Sequence, residues 1–340
     1  MIDLELIRAL SQAVGVSGNE EAVRDLIMKQ LPEGCETEVD PLGNLIVTKK
    51  GKSTPKNRVM LCAHMDEVGF IVTYITDDGL LKFAPVGGIS PSAVYGRRIL
   101  FENGTRGVIA AKATHMVKGD EKEKQPKLDD LWIDIGASSR EEAEKHVALG
   151  ETCTFESEFF TLGEDKLKGK ALDDRVGCAI LLRLLKKELP FDLTAVFTVQ
   201  EEIGTRGAAC AAYRIKPDYA IVLETTTACD IPENDGAKAV CRVGAGAVVS
   251  YMDRRTIYDK ELYRLAFSLA EEKKIPAQTK TMVAGGNDSG AIHQAVGGIR
   301  TAAISVPTRY LHTPACVMQG SDAEAVAALA EALYERLCTL

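Results

Sequence analysis

The first 68 positions of the chain combine helical spacing of apolar residues with short apolar runs. Between residues 6 and 14 leucine, isoleucine and valine recur at helical spacing, which predicts a first helix. Ser17 and Glu20 then form the S-x-x-E pattern of a capping box, which predicts the start of a second helix. After a predicted β-hairpin, residues 58–63 form an apolar run that is typical of a buried strand and stops before His64.

Between about residue 69 and residue 162 the pattern consists of short β-rich runs separated by Asp-Gly, Gly-Gly and Asn-Gly turns. Such spacing is typical of a small all-β barrel or sandwich. Within this segment residues 139–147 have helical spacing, and the charged stretch 118–130 (KGDEKEKQPKLDD) is predicted to be a solvated loop. We therefore predict a separate β-rich domain over residues 69–162.

From residue 163 onward, predicted strands and helices alternate again. The strand-like runs are TAVFTV, YAIVL, GAVVSY, AQTKTM and TAAISV, and the helical segments follow Asp174 and Asp288 or cover residues 207–213, 260–272 and 321–337. This order is typical of a mixed, mostly parallel sheet with helices on both faces. The predicted fold is therefore an α/β domain built from residues 1–68 and 163–340, with a small barrel-like β domain inserted into it.

Composition and charge restrict the classes of function. The 340 residues include 41 lysines and arginines against 49 acidic residues, which gives a net charge of −8. An acidic chain lacks the basic surface that nucleic acids and anionic membranes require, so we expect neither as a partner. No apolar run approaches the roughly 18 residues of a transmembrane helix. Nine cysteines without a C-x-x-C pair are typical of reduced thiols, which predicts a cytoplasmic protein.

Five histidines are available as metal ligands or acid–base groups, and two of them stand apart. His64 and His312 each follow a strand-like run, where open α/β sheets place their ligands. His146 lies in a charged segment and is predicted to be a surface residue, while His115 and His293 are expected to make ordinary hydrogen bonds. His64 and His312 are therefore the candidate ligands.

Acidic residues also lie at the ends of predicted strands, or directly before a predicted apolar helix. They are Asp66, Asp173, Asp174, Glu201, Glu202 and Glu224. An ordinary helix N-terminus would explain the adjacent aspartates. Two adjacent acids at the end of a core strand, Glu201 and Glu202, are costly to bury without a partner. A divalent cation would remove that cost and leave one acid free to carry a proton. Two histidines with several carboxylates suit zinc or cobalt.

Four motifs, in this order along the chain, resemble those of one known family. They are AHMDEVGF, GKALDDRVG, VQEEIGTRGA and SVPTRYLHTP, joined by VSGNEE near the start, PVGGI in the β-rich segment and GGNDSGA late in the chain. With an inserted β domain after the first motif, the whole chain resembles the tetrahedral (TET) or glutamyl aminopeptidase family of dinuclear metallopeptidases. The resemblance implies a zinc-exopeptidase-like fold, and relatives are often labelled endoglucanases.

The resemblance also implies a role for each candidate residue. It implies two divalent ions, zinc or cobalt, with His64, Asp173, Glu202, Glu224 and His312 as ligands, Asp66 as the partner of His64, and Glu201 as the general base. Asp173 would bridge both ions, and a cis peptide bond would join it to Asp174. Glu224 occupies the position of the family's usual aspartate, and its side chain is one methylene longer.

Activity and assembly are implied in the same way. We expect a cytoplasmic aminopeptidase that removes N-terminal residues from short peptides, with Glu201 taking a proton from a water that two metals activate. A homododecamer built from dimers is implied, with the inserted domain supplying subunit contacts. The alternatives are a glycoside hydrolase, a carboxypeptidase or deacylase, and a non-catalytic assembly protein. A single tryptophan and 6% aromatic residues argue against sugar binding, and an intact Glu201 argues against a non-catalytic protein.

Overall fold

The computed structural model of the protein describes residues 2–112 and 127–340. His115 lies outside the described residues, as do positions 118–126 of the predicted charged loop. Within the described parts of the chain, no helix is both long enough and apolar enough to span a membrane.

Helices and strands alternate over most of the described chain. The α-helices are α1 (Leu4–Gln12), α2 (Glu21–Gln30), α3 (Pro91–Val94), α4 (Arg140–Ala143), α5 (Leu172–Leu185), α6 (Arg206–Ile215), α7 (Lys260–Glu272), α8 (Ser289–Ile292) and α9 (Gly320–Leu337). The strands are β1 (Cys35–Val39), β2 (Leu45–Lys49), β3 (Val59–His64), β4 (Gly69–Ile75), β5 (Leu81–Val86), β6 (Arg98–Phe101), β7 (Arg106–Ala111), β8 (Leu131–Asp134), β9 (Thr152–Phe155), β10 (Phe160–Leu162), β11 (Lys166–Gly169), β12 (Leu193–Thr198), β13 (Tyr219–Thr227), β14 (Ala247–Val249), β15 (Ala277–Thr279), β16 (Arg300–Thr308) and β17 (Cys316–Gln319).

Eight strands form the main sheet, in the order β1-β2-β12-β3-β13-β16-β14-β15. The four central strands, β12, β3, β13 and β16, are parallel to one another. On one side β2 is antiparallel to β12, and on the other β14 is antiparallel to β16. The predicted mixed, mostly parallel sheet is therefore confirmed.

Alternate residues of the central strands contact helices on opposite faces of the sheet. Leu61 and Ala63 of β3 belong to a core that includes residues of α1, α2, α5, α7 and α9. Met60 and Cys62 belong to a second core with α6 and α8. Because both faces are covered, all six residues of β3 are buried, which explains the uninterrupted apolar run in the sequence.

The strands β4, β5, β8, β7, β6 and β9 close into an antiparallel barrel, as the β-rich segment predicts. Its interior includes Phe70, whose ring makes edge-to-face contacts with Phe83 and Phe155 at centroid distances of 5.1 and 5.2 Å. The helix predicted over residues 139–147 is wrong in length, because α4 ends at Ala143. The amides at positions 146 and 147 both donate to the carbonyl of Ala143, which closes a turn and ends the helix.

A third sheet, β10-β11-β17, was not predicted from the sequence. Its strands have only three or four residues, and all three residues of β10 are exposed, so the strands carry almost no periodic signal. The predicted domain boundary between residues 162 and 163 lies in the turn of the β10–β11 hairpin. The division into two domains and the subunit contacts assigned to the insert stay predictions.

Candidate active site

The candidate residues meet at one edge of the main sheet, at the carboxyl ends of its parallel strands. They are His64 at the end of β3, Glu201 and Glu202 after β12, Glu224 in β13, His312 after β16, and Asp173 at the start of α5. The ladder between β3 and β13 stops at Cys62 and Val222. His64 and Glu224 each lie two residues further on, so the two strands have already diverged at the positions of these side chains.

His64 is fixed by hydrogen bonds and burial, with a side chain that is only 2% exposed. Its Nδ1 lies 3.1 Å from the carbonyl oxygen of Asp66, and its Nε2 lies 3.2 Å from Asp173 Oδ1 and 3.5 Å from Glu224 Oε1. When Nδ1–H donates to the carbonyl, the lone pair of Nε2 faces two carboxylates, an arrangement that a shared cation would stabilise.

Asp173 links this group to His312. Its Oδ2 lies 3.4 Å from His312 Nε2, while its Oδ1 faces His64. His312 Nε2 is also 3.2 Å from Glu202 Oε2, and His312 Nδ1 is 2.7 Å from the carbonyl oxygen of Gly88. The two oxygens of Asp173 therefore face two separate groups of ligand atoms. The cis peptide bond expected between Asp173 and Asp174 is present.

Asp66 organises the backbone of the two adjacent glutamates. Its Oδ1 accepts from the amide of Glu201 at 2.9 Å, and its Oδ2 accepts from the amide of Glu202 at 3.0 Å and from the hydroxyl of Ser17 at 2.6 Å. The Asp66 carboxylate also lies 3.4 Å from His64 Nδ1, further away than its own backbone carbonyl. The predicted partnership with His64 is thus made mainly by the Asp66 main chain.

Ser17 and Glu20 correct one prediction from the sequence. They do not form a capping box, because no side chain caps α2. Ser17 bonds Asp66 instead, and the Oε1 of Glu20 accepts from the amides of Gly18 and Gln200. Both residues therefore support the segment before Glu201. The VSGNEE motif was the sequence signal for these contacts, but its S-x-x-E spacing also fits a helix cap, which is the role that the pattern predicts.

The carboxylates of Glu201 and Glu202 have different surroundings. Glu202 faces His312, whereas the Glu201 carboxylate has no hydrogen bond or ion pair to any described residue. Burial is the main reason that the pKa of Glu201 is raised well above the ordinary range. A carboxylate without a described partner, at the wall of the site, is free to accept and release a proton.

Burial also changes the pKa values of the other acids. It raises the pKa of Glu224 to about 8 and that of Asp174 well above its ordinary value. Burial opposes ionisation of Asp173 as well, but hydrogen bonds from His312 and His64 hold its pKa below the ordinary range. Several carboxyl groups thus compete for few cations, which is the condition under which buried acids keep their protons.

The surroundings of both histidines favour their protonated, charged form. Burial lowers the pKa of His64, but the charge of Glu224 and the hydrogen bond with Asp173 raise it well above 6.5. The contacts of His312 with Asp173 and Glu202 likewise outweigh burial and raise its pKa to about 12. The site therefore attracts more positive charge than its own side chains supply.

The donor set fits divalent ions. One atom each of His64, Asp173 and Glu202, and one atom each of His64, Asp174 and Glu224, lie within 4.8 Å of one another. Ligands bound at about 2.0–2.2 Å to a tetrahedral ion lie about 3.3–3.6 Å apart. The four nitrogen–oxygen distances above are 3.2–3.5 Å. In addition, Asp174 Oδ2 is buried with no hydrogen-bond partner among the described residues.

A cavity of about 410 Å³ opens in front of these residues. Glu201, Glu202 and Glu224 lie on its wall, as does Lys280, the only lysine or arginine among the described residues that line it. The Nζ of Lys280 donates to the carbonyl of Ala284 at 2.8 Å, and burial lowers its pKa. Sequence analysis did not identify Lys280, which lies in a weak strand-like run without any motif.

The other histidines behave as expected where the structure describes them. His146 is exposed, as predicted. The Nδ1 of His293 lies 2.7 Å from the carbonyl oxygen of Ser289, which is an ordinary hydrogen bond within α8 and its end.

Comparisons with known proteins agree with this geometry. A sequence model of the M42 glutamyl aminopeptidase family matches residues 43–329. Lysyl aminopeptidase of Pyrococcus furiosus is 34% identical over 348 residues, covering 99% of this chain and 98% of its own. Glutamyl aminopeptidase of Lactococcus lactis subsp. cremoris is 33% identical over 329 residues, covering 93% of this chain and 91% of its own.

Solved structures give the same result. A TET aminopeptidase from Thaumarchaeota archaeon SCGC AB-539-E09 has a TM-score of 0.92 and 34% identity, covering 98% of this chain and 96% of its own. TET1 peptidase of Pyrococcus horikoshii, described as able to assemble into a tetrahedron or a large octahedral shell, has a TM-score of 0.86 and 34% identity, covering 97% and 98%. A Thermotoga maritima chain named an endoglucanase has a TM-score of 0.80 and 33% identity, covering 98% of both. The present chain therefore belongs to the M42 glutamyl aminopeptidase family and is a hydrolase of the aminopeptidase class.

Proposed function

We propose that this protein is a two-metal aminopeptidase that removes N-terminal residues from short peptides. The observation that carries the proposal is Asp173, whose two carboxylate oxygens face two different histidines. His64, Glu224 and Asp173 would hold one divalent ion, and Glu202, His312 and Asp173 would hold the other. Nitrogen and carboxylate donors at this spacing suit zinc or cobalt. When bound, the ions supply Lewis acidity, which lowers the pKa of a water molecule and polarises a scissile carbonyl.

The chain itself would move the proton. Glu201 would accept a proton from the attacking water and pass it to the nitrogen of the leaving amine, because its carboxylate lines the cavity and has no described partner. Asp66 would hold the amides of Glu201 and Glu202, which keeps the base and the ligand pointing in different directions.

The cavity wall favours a peptide with a free amine over the alternative substrates. Among the described residues that line the cavity, Glu201 is the one carboxylate outside the proposed ligand set, and it complements the positive charge of an N-terminus. Among the described lining residues there is no phenylalanine, tyrosine or tryptophan on which a sugar could stack. The endoglucanase name of the Thermotoga relative is therefore not a guide to this site.

We further propose that the protein self-associates in the cytoplasm as a homododecamer built from dimers. The assembly described for the Pyrococcus TET1 peptidase supports self-association, and nine free cysteines suit a reducing compartment. Light scattering on the purified protein should give the mass of twelve chains. A mass of one or two chains at micromolar concentration would contradict the dodecamer.

The test of the mechanism separates Glu201 from Glu202. Glu201→Gln should keep both ions and lose about 10²–10⁴-fold in kcat, because only the proton carrier is removed. Glu202→Gln should bind one ion fewer, because a neutral amide is a poor replacement for a carboxylate ligand. The measurements are metal content by mass spectrometry and kcat on aminoacyl chromogenic substrates at saturation. Near-normal kcat in Glu201→Gln would refute the base assignment, and a wild-type protein that binds fewer than two ions would refute the two-metal proposal.

A further inference from the structure

We infer that the β-barrel helps to form the metal site, because the backbone carbonyl of Gly88 fixes the position of the His312 ring. The inference rests on the proposed role of His312 as a metal ligand. Gly88 lies two residues beyond β5 of the barrel, and its carbonyl oxygen is 2.7 Å from His312 Nδ1. This short contact connects residues 224 positions apart in the sequence.

The contact selects the form of the imidazole that can bind a metal. When Nδ1–H donates to the Gly88 carbonyl, the lone pair is left on Nε2, which is the nitrogen that faces Asp173 and Glu202. A hydrogen-bond acceptor behind a metal-binding histidine fixes both its tautomer and the orientation of its ring. Gly88 is therefore a positioning residue, and it acts through its main chain.

The loop that carries His312 needs such support. It lies between β16 and β17, and both Tyr310 and His312 have left-handed backbone angles, with φ of 61° and 58°. The His312 side chain is 34% exposed, so packing alone does not hold it. On the other flank, the hydroxyl of Ser157, just after the last barrel strand, donates to the carbonyl of Pro314. Barrel-side residues thus contact the loop at His312 itself and at Pro314.

The absence of a side chain at Gly87 allows the barrel to approach Glu202 and His312 closely. Its φ is +84°, and a Cβ at this position would lie 2.8 Å from Val68 Cγ1 and 3.3 Å from Glu202 Cβ. Any larger residue would push the turn away from the site and draw the Gly88 carbonyl away from His312. The first glycine of the pair in the PVGGI motif therefore has a physical reason: it lets the barrel come close to His312.

The test compares two glycine substitutions in the barrel. Gly104 has a similar φ of +88° but no atom within 4 Å of an added Cβ, so Gly104→Ala reproduces the backbone strain without moving the turn. Gly87→Ala should lower the affinity for one of the two ions by roughly 10–100-fold, the usual effect of losing a partner behind a metal ligand. Gly104→Ala should keep both affinities. Competition with a chromophoric zinc chelator measures both, independently of catalysis.

A structure of metal-free Gly87→Ala completes the test, because the added methyl also lies near Glu202. Lower affinity with a Gly88–His312 distance beyond hydrogen-bonding range and Glu202 in place supports the inference. Affinity equal to that of Gly104→Ala, or lower affinity with the hydrogen bond intact, overturns it. If Gly87→Ala does not fold, a structure of the zinc-loaded wild-type protein is the test. Zinc on His312 Nε2, with Nδ1 still hydrogen-bonded to Gly88, supports the inference, and zinc on Nδ1 or a broken Gly88–His312 hydrogen bond overturns it. Because wild-type protein still binds two ions in these negative outcomes, they leave the proposed function standing.

Discussion

The two histidines of the site are held in contrasting ways. His64 ends a strand whose six residues are all buried, and the carbonyl that faces its Nδ1 is only two residues away. His312 lies in a partly exposed loop with a left-handed backbone, and the carbonyl that faces its Nδ1 belongs to the barrel. One side of the site is thus part of the main sheet, and the other is assembled from three distant segments.

This difference predicts unequal rigidity. Strand ladders and burial hold His64, so its position varies only if the sheet itself is disturbed. The position of His312 depends on how the barrel, the loop and Glu202 meet, and such assembled, partly exposed regions open more readily. We therefore expect the His64 side to bind its ion more tightly and to contribute more to folding stability.

The largest expected difference is in stability. His64→Ala should destabilise the metal-free protein by about 3–5 kcal/mol, because it removes the buried cation that faces both Asp173 and Glu224. His312→Ala should cost about 1–2 kcal/mol, because water can reach that side. Urea unfolding measures both, and His146→Ala, at an exposed histidine, is the control. Equal losses for the two variants would contradict the comparison.

The same contrast explains what the sequence could predict. The order of strands and the residues at their ends follow from apolar runs and local motifs, so His64, Glu201, Glu202 and Glu224 were found at the sheet edge. Contacts between distant segments leave no such pattern. Gly88 acts through its backbone carbonyl, and no side-chain pattern in the sequence indicates such a contact. The sequence around Ser17 fits the local pattern of a helix cap, although its hydroxyl bonds the distant Asp66. Exposed three-residue strands such as β10 were missed for the same reason.

Removal of metal should proceed in two steps. A chelator should take the ion on the His312 side first, because that side is more open, and the ion beside His64 more slowly. In His312→Ala only the slow step should remain. Stopped-flow release into a chromophoric chelator resolves the two steps. Release of both ions in a single step from the wild-type protein would show that the two sides are not independent.

We predict that Lys280 influences which first residue of the substrate is preferred. It lies on the cavity wall, at a distance where Glu224 still affects its pKa, and a positive charge there should favour substrates whose first residue is acidic. Lys280→Ala should therefore lower kcat/KM roughly 10–100-fold for glutamyl and aspartyl substrates, the effect of losing one charged hydrogen bond. Leucyl substrates should change little and act as the internal control. If both classes change equally, Lys280 has a structural role only.

The last prediction concerns pH and the segment before Glu201, which Glu20 supports. Burial raises the pKa of Glu20 from 4.5 to about 7, so the folded protein binds this proton more tightly than the unfolded chain does. The stabilisation is complete below pH 4.5 and is lost as the pH rises through 7. Glu20→Gln should therefore nearly match the wild type at pH 4.5 and be more stable at pH 8, by about 3 kcal/mol. Metal-free urea unfolding at both pH values, with the exposed neighbour Glu21→Gln as control, measures the change. A difference between Glu20→Gln and wild type that is the same at both pH values would mean that the amide, and not the lost titration, alters the stability of the segment before Glu201.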